Sequence, residues 1–127
     1  MKPLVIEDEL KLAAWLRRGL TESGYAVDVA HDGIHGLQLA MEGGYDLLLL
    51  DSMLPGIDGL TLLAALGKSK QTPVLMLTVR VHGDDRVRGR QGGVDDDLSK
   101  PIEVSVLTAR IQVRLRGRLG TELNART

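Results

Sequence analysis

Short apolar runs alternate along this chain with longer stretches in which apolar residues recur every three or four positions. The runs are Leu4-Val5-Ile6, a weaker one from Ala26 to Ala30, Asp46 to Leu50 with four consecutive leucines, Pro73 to Leu77, and a poor fifth near Asp97 to Ser99. Runs without polar alternation are what strands covered on both faces require, so these five read as strands of a parallel sheet. Between them, Leu10, Leu12, Ala13, Leu16 and Leu20 predict a first helix ending near Ser23-Gly24, and Gly33 to Met41 predicts a second closed by Gly43-Gly44. Three more helices are expected over Leu60 to Leu66, Asp84 to Gln91 and Val104 to Leu115. Five strands alternating with five helices give an α/β fold, a doubly wound five-stranded parallel sheet.

Composition narrows this picture. At 127 residues, with 43% hydrophobic and 26% charged residues, the chain has the size and core of a single domain. No apolar run approaches the eighteen or so residues of a membrane span, and Pro3 to Ile6 runs into Glu7-Asp8-Glu9 rather than a signal-peptide core, so the expectation is a soluble, cytoplasmic protein with no membrane partner. Cysteine is absent, which excludes disulfides, thiolate zinc sites and thiol nucleophiles. A net charge of -1 gives no overall basic excess for nucleic acid. The arginines Arg110, Arg114, Arg116, Arg118 and Arg126, against the single acid Glu122, read as a solvated last helix and tail. His31, His35 and His82 lack metal-ligand spacing and read as surface residues. No glycine-rich loop follows the first strand, which argues against nucleotide or flavin binding; glycines are expected at helix ends and turns.

Ligands of open parallel sheets bind beyond the carboxyl ends of the strands. The residues there are Glu7 and Asp8 after the first strand, Asp51 after the third, Thr78 after the fourth, and Lys100-Pro101 after the fifth. Converging carboxylates repel, and a hard cation with oxygen ligands offsets that cost; Mg²⁺ is the natural candidate because it needs few protein ligands. Asp51 is then placed to act as nucleophile toward a phosphoryl group, with Thr78 as hydroxyl donor and Lys100 as point charge.

Over roughly the first 118 positions the pattern resembles the response-regulator receiver domain. Glu7-Asp8 is similar to its acidic pair, Asp51 in LLLLDSMLPGIDG to its phosphoacceptor, Thr78 in PVLMLT to its switch hydroxyl, and Lys100-Pro101 in DDDLSKP to its lysine with a cis-peptide proline. The spacings of 43, 27 and 22 residues between Asp8, Asp51, Thr78 and Lys100 are similar as well. MLPGIDG, DDRVRG and GVDDDLSKP resemble the OmpR/PhoB type. The resemblance implies a flavodoxin-like (βα)5 receiver fold over 1–118, with 119–127 the start of a linker whose output domain is missing. It implies Mg²⁺ held by Glu7, Asp8, Asp51 and Met53, and Asp51, Thr78 and Lys100 as the reacting groups. It also implies a sensor histidine kinase as phosphodonor, homodimerisation through the fourth helix, fifth strand and fifth helix, and DNA binding only through the absent output domain. Such a chain is no enzyme beyond its own phosphorylation, from phosphohistidine or small phosphodonors, and slow dephosphorylation.

Four positions depart from the family pattern. Val79 replaces a small residue after the switch threonine, Asp97 an aromatic on the fifth strand, Ile102 a phenylalanine, and Val106 an acid of the dimerising face. Val79, Asp97 and Val106 give a rival reading, a receiver-like interaction module that works without phosphate. A second rival, a phosphatase using an aspartyl phosphate, needs a second acid two residues after the nucleophile, where this chain has Met53.

Overall fold

A computed structural model of the chain describes residues 1–67, 72–78 and 95–114. The expected fourth helix, Val79, His82 and the tail lie outside the described residues. The elements in order are β1 (Pro3–Ile6), α1 (Leu10–Glu22), β2 (Asp28–Ala30), α2 (Gly33–Glu42), β3 (Leu47–Asp51), α3 (Gly59–Leu66), β4 (Val74–Thr78) and β5 (Asp96–Ser99), followed by a helix over 104–114. All strand pairings are parallel, in the order β2-β1-β3-β4-β5. The doubly wound α/β expectation holds. β2 is shorter than the sequence run, beginning at Asp28 rather than Ala26, while Tyr25 and Val27 still pack into the core.

Strand geometry turns successive side chains to opposite faces, which divides the consecutive leucines of β3 between two separate cores. Leu48 and Leu50 join Leu4, Ile6, Val74 and Met76 under α2 and α3. Leu47 and Leu49 join Val5, Leu75, Leu77 and Leu98 under α1 and the helix 104–114, where Leu16, Leu20, Leu107 and Ile111 are fully buried. Ile102 is buried in this second core. An aliphatic side chain there fills space in the core, whatever its departure from the family pattern.

Polar residues set the helix limits. Asp32 caps α2 by accepting from the His35 N–H at 2.7 Å, and Asp58 caps α3 by accepting from the Thr61 N–H at 2.8 Å, each of the kind that contributes about 1 kcal/mol. Two of the arginines expected to be solvated are also paired: Arg110 is exposed as expected, and Arg114 is half-buried. Arg110 Nη1 lies 2.6 Å from Asp96 Oδ2, and Arg114 Nη2 donates to the Asp95 carbonyl at 2.6 Å. The strand pleat explains the first: Asp96 shares a face with Leu98, so its carboxylate points at the helix that covers that face. Among the described residues no helix is long and apolar enough to cross a membrane.

Candidate functional site

The central pair of strands, β1 and β3, ends in register, Ile6 opposite Leu50, so Glu7 and Asp51 emerge side by side at the carboxyl edge. β4 ends next to them, with Leu77 opposite Asp51 and Thr78 one residue beyond. On the far side of β4, Thr78 pairs with Ser99, and the Lys100 N–H donates to the Thr78 carbonyl at 2.8 Å. The Lys100–Pro101 peptide is cis.

The Lys100 side chain reaches back under this edge. Its Nζ lies 3.1 Å from Asp51 Oδ2, as the sequence leads one to expect, and 2.8 Å from Glu7 Oε1, which it does not. Glu7 is completely buried, Asp51 nearly so, and Asp8 is exposed. One oxygen from each of these three acids lies within 4.8 Å of the others. Asp51 Oδ1 accepts from the Met53 N–H at 3.1 Å, whereas the Met53 side chain is 61% exposed and offers the cluster nothing. Thr78 is half-buried at the same edge.

The two buried carboxyls differ in proton affinity. Burial, and then a hydrogen bond with Asp51, push Glu7 up to about 7 against the opposing pull of Lys100. Burial works the same way on Asp51, but hydrogen bonds from Glu7, the Met53 N–H and Lys100 outweigh it and hold its carboxyl below the usual range. Burial would depress Lys100 too; its two carboxyl partners keep it above its ordinary value. Two acids in contact cannot both ionise cheaply, so near neutrality one proton sits on the Glu7 side and Asp51 carries the charge. An anionic Asp51 is the form a nucleophile needs.

Glu7 Oε1 is engaged by the Lys100 ammonium at 2.8 Å, while Oε2 accepts from the Glu9 N–H at 3.2 Å. Three carboxyl groups with oxygens within 4.8 Å of one another, one of them exposed, make an oxygen donor set that fits a hard cation, so the cluster suits Mg²⁺. His31, expected as a plain surface residue, is exposed but has a role at the rim: its Nδ1 lies 3.2 Å from the Glu7 carbonyl, which can only accept, so that nitrogen carries the proton. Nothing in the sequence pattern marks this contact, because a histidine one residue past a strand is an ordinary occurrence.

Comparison with known proteins agrees with this geometry. Residues 4–112 match the response regulator receiver domain. The transcriptional regulatory protein HprR of Escherichia coli (strain K12) is 48% identical over 116 residues, 91% of this chain and 52% of that protein. The transcriptional regulatory protein CusR of the same organism is 44% identical over 117 residues, 91% of this chain and 52% of that protein. The chain thus spans about half the length of the curated relatives it matches. Among solved structures, the receiver domain of the Francisella response regulator 1452 superposes with a TM-score of 0.83 at 34% identity, covering 88% of this chain and 93% of that one. A CheY-like receiver domain from Methanospirillum hungatei JF-1 reaches a TM-score of 0.89 at 23% identity, over 94% of this chain and 97% of its own, and supports the fold alone. With its acidic edge, its lysine and its cis proline in place, this chain belongs to the response-regulator receiver family, in its OmpR/PhoB form.

Proposed function

We propose that Asp51 accepts a phosphoryl group from a phosphohistidine of a sensor histidine kinase, and that the phosphorylated domain controls a transcriptional output domain. The observation that carries the reading is the contact between Lys100 Nζ and Asp51 Oδ2 at 3.1 Å, beside a cluster of three acids. An anionic Asp51 oxygen attacks phosphorus, the bond to the histidine nitrogen breaks, and the imidazole leaves. Lys100 offsets charge on the oxygens being transferred, and the Thr78 hydroxyl is placed at the same edge to receive one of them. Mg²⁺ would be held by Asp8, Asp51 and the backbone carbonyl of Met53, with Glu7 acting through water, and would supply further charge neutralisation. Asp51 also takes phosphate from small phosphodonors and loses it slowly to water; this is the extent of its catalysis. HprR and CusR carry the name of transcriptional regulatory proteins, which supports a transcriptional output; a cytoplasmic, homodimeric regulator that binds DNA through that output domain is part of the same proposal. Among the described residues, β5 and the helix 104–114 are the elements we assign to the dimer face.

Intact-mass measurement after incubation with acetyl phosphate and Mg²⁺ tests the reading. Gain of one phosphoryl group in wild type, absent in Asp51→Asn, is the expected result. No gain in wild type favours the second reading, an interaction module without phosphate. The observation behind that alternative is the half-buried Asp97 on β5, an acid where the family carries a switching aromatic.

A further inference from the structure

The loop over 52–58 leaves β3 at Asp51 and enters α3 at Gly59, and it carries the Met53 N–H that donates to Asp51. Its far end is anchored by the Asp58 cap and by the Gly59 N–H, which donates to the Ser52 carbonyl at 3.3 Å. Leu54 is buried in the core under α2 and α3, and half-buried Ile57 packs against the same core. The closest approach lies at the start of α2. A Cβ on Gly33 would stand 2.0 Å from Ile57 Cγ2 and 2.7 Å from the Ile57 carbonyl oxygen. A side chain can rotate away from such a clash; a backbone oxygen cannot. Nor can α2 easily retreat. Gly36, one turn on, would place a Cβ 2.7 Å from Ile6, and Ala40 is buried.

We propose that Gly33 is a positioning residue for the phosphoacceptor: its bare Cα lets the start of α2 pin Ile57, and through it the loop that keeps the Met53 N–H on Asp51. The inference rests on the role given to Asp51 and Met53 above, and concerns what holds them in place. Gly33→Ala must shift the loop, because the loop is the freer of the two partners.

Two readouts test it. Exchange of the Met53 amide hydrogen, followed without metal, should quicken at least tenfold in Gly33→Ala, and Mg²⁺ titrated alone should bind at least fivefold more weakly. Leu20→Ala, a truncation in the core on the other face of the sheet from Leu54 and Ile57, should lower the melting temperature yet leave both readouts within twofold of wild type. Ile57→Ala loosens the pin without a clash and should move both readouts in the same direction, which keeps the test open if Gly33→Ala does not fold. Unchanged Met53 exchange in the folded variants overturns the pin. Faster exchange with unaltered Mg²⁺ affinity overturns its positioning role. If wild type itself neither binds Mg²⁺ nor takes phosphate from acetyl phosphate, the functional reading has failed, and the metal-free exchange measurement still decides whether the pin exists.

Discussion

Glu7 and Asp51 stand side by side at the carboxyl edge of the sheet with opposite proton affinities, Glu7 raised to about 7 and Asp51 held below the ordinary carboxylate range. Folding therefore takes up a proton on Glu7. The stability tied to that proton is complete below the unfolded value near 4.5 and is lost as pH rises through about 7. Asp51 has the opposite sign, its contribution being present above 3.8 and lost only on stronger acidification. Without divalent cations, the domain should be more stable at pH 5 than at pH 8 by up to about 3 kcal/mol, at about 1.4 kcal/mol per pH unit. Urea unfolding at the two pH values measures this, and Glu7→Gln should remove most of the difference. A wild-type stability that does not fall from pH 5 to pH 8 would contradict the protonated Glu7.

Cation binding should run against that proton. Mg²⁺ affinity is expected to weaken as pH drops through about 7, by less than tenfold per pH unit, because a proton taken up by Glu7 removes negative charge from beside the oxygens that hold the cation. Exposed Asp8 is open to the cation, while Glu7 is turned toward Lys100. Asp8→Ala should thus weaken binding by roughly tenfold or more, about 1.4 kcal/mol, and Glu7→Ala by less. Calorimetric titration of both variants gives the order, and wild-type affinity in Asp8→Ala would remove Asp8 from the ligand set.

Lys100 neutralises two buried acids, and losing one partner of a buried ion pair commonly costs about 3–5 kcal/mol. Here Glu7 can take a proton instead. Lys100→Ala is expected to remain folded and to lose less stability at pH 6 than at pH 8, as read from denaturant midpoints. It should also take phosphate from acetyl phosphate more slowly than wild type, because the lysine charge offsets that on the oxygens being transferred; an unchanged rate would show that the lysine has no part in the transfer.

Asp97 sits on the sheet face opposite Leu98, with its N–H donating to Asp96 Oδ1 at 2.9 Å. An aromatic in its place could turn inward when the switch threonine moves. A carboxylate drawn into an apolar gap would forfeit several kcal/mol of hydration, against roughly 1 kcal/mol from one hydrogen bond. Phosphate should accordingly shift this domain's assembly only weakly, or the dimer should exist without it. Sedimentation of wild type and Asp97→Tyr, each with and without beryllofluoride, is the measurement. A strong monomer-to-dimer change in wild type that tyrosine does not improve would point to another coupling route.

The parallel sheet was legible because every strand except β2 and β5 is an unbroken apolar run, and the site because four strand ends each carried a distinctive polar residue. Long-range side-chain geometry was not. Lys100 and Glu7 are far apart in sequence, and no local pattern tells a lysine which of two carboxyls it will approach more closely. Arg110 and Arg114 look like ordinary solvated charges until the fold turns the Asp96 carboxylate toward one and brings the Asp95 carbonyl within reach of the other. Gly33 at a helix start reads as routine punctuation; only the fold brings Ile57 against it.

The split of β3 between two cores makes immediate sequence neighbours strangers in packing. Leu49 and Leu50 are bonded to each other, yet the side chain of one meets α1 and the helix 104–114 while the other meets α2 and α3. Sites without shared partners combine additively, so the two hydrophobic layers can be redesigned, or can drift in evolution, as separate volumes that share little more than the sheet backbone.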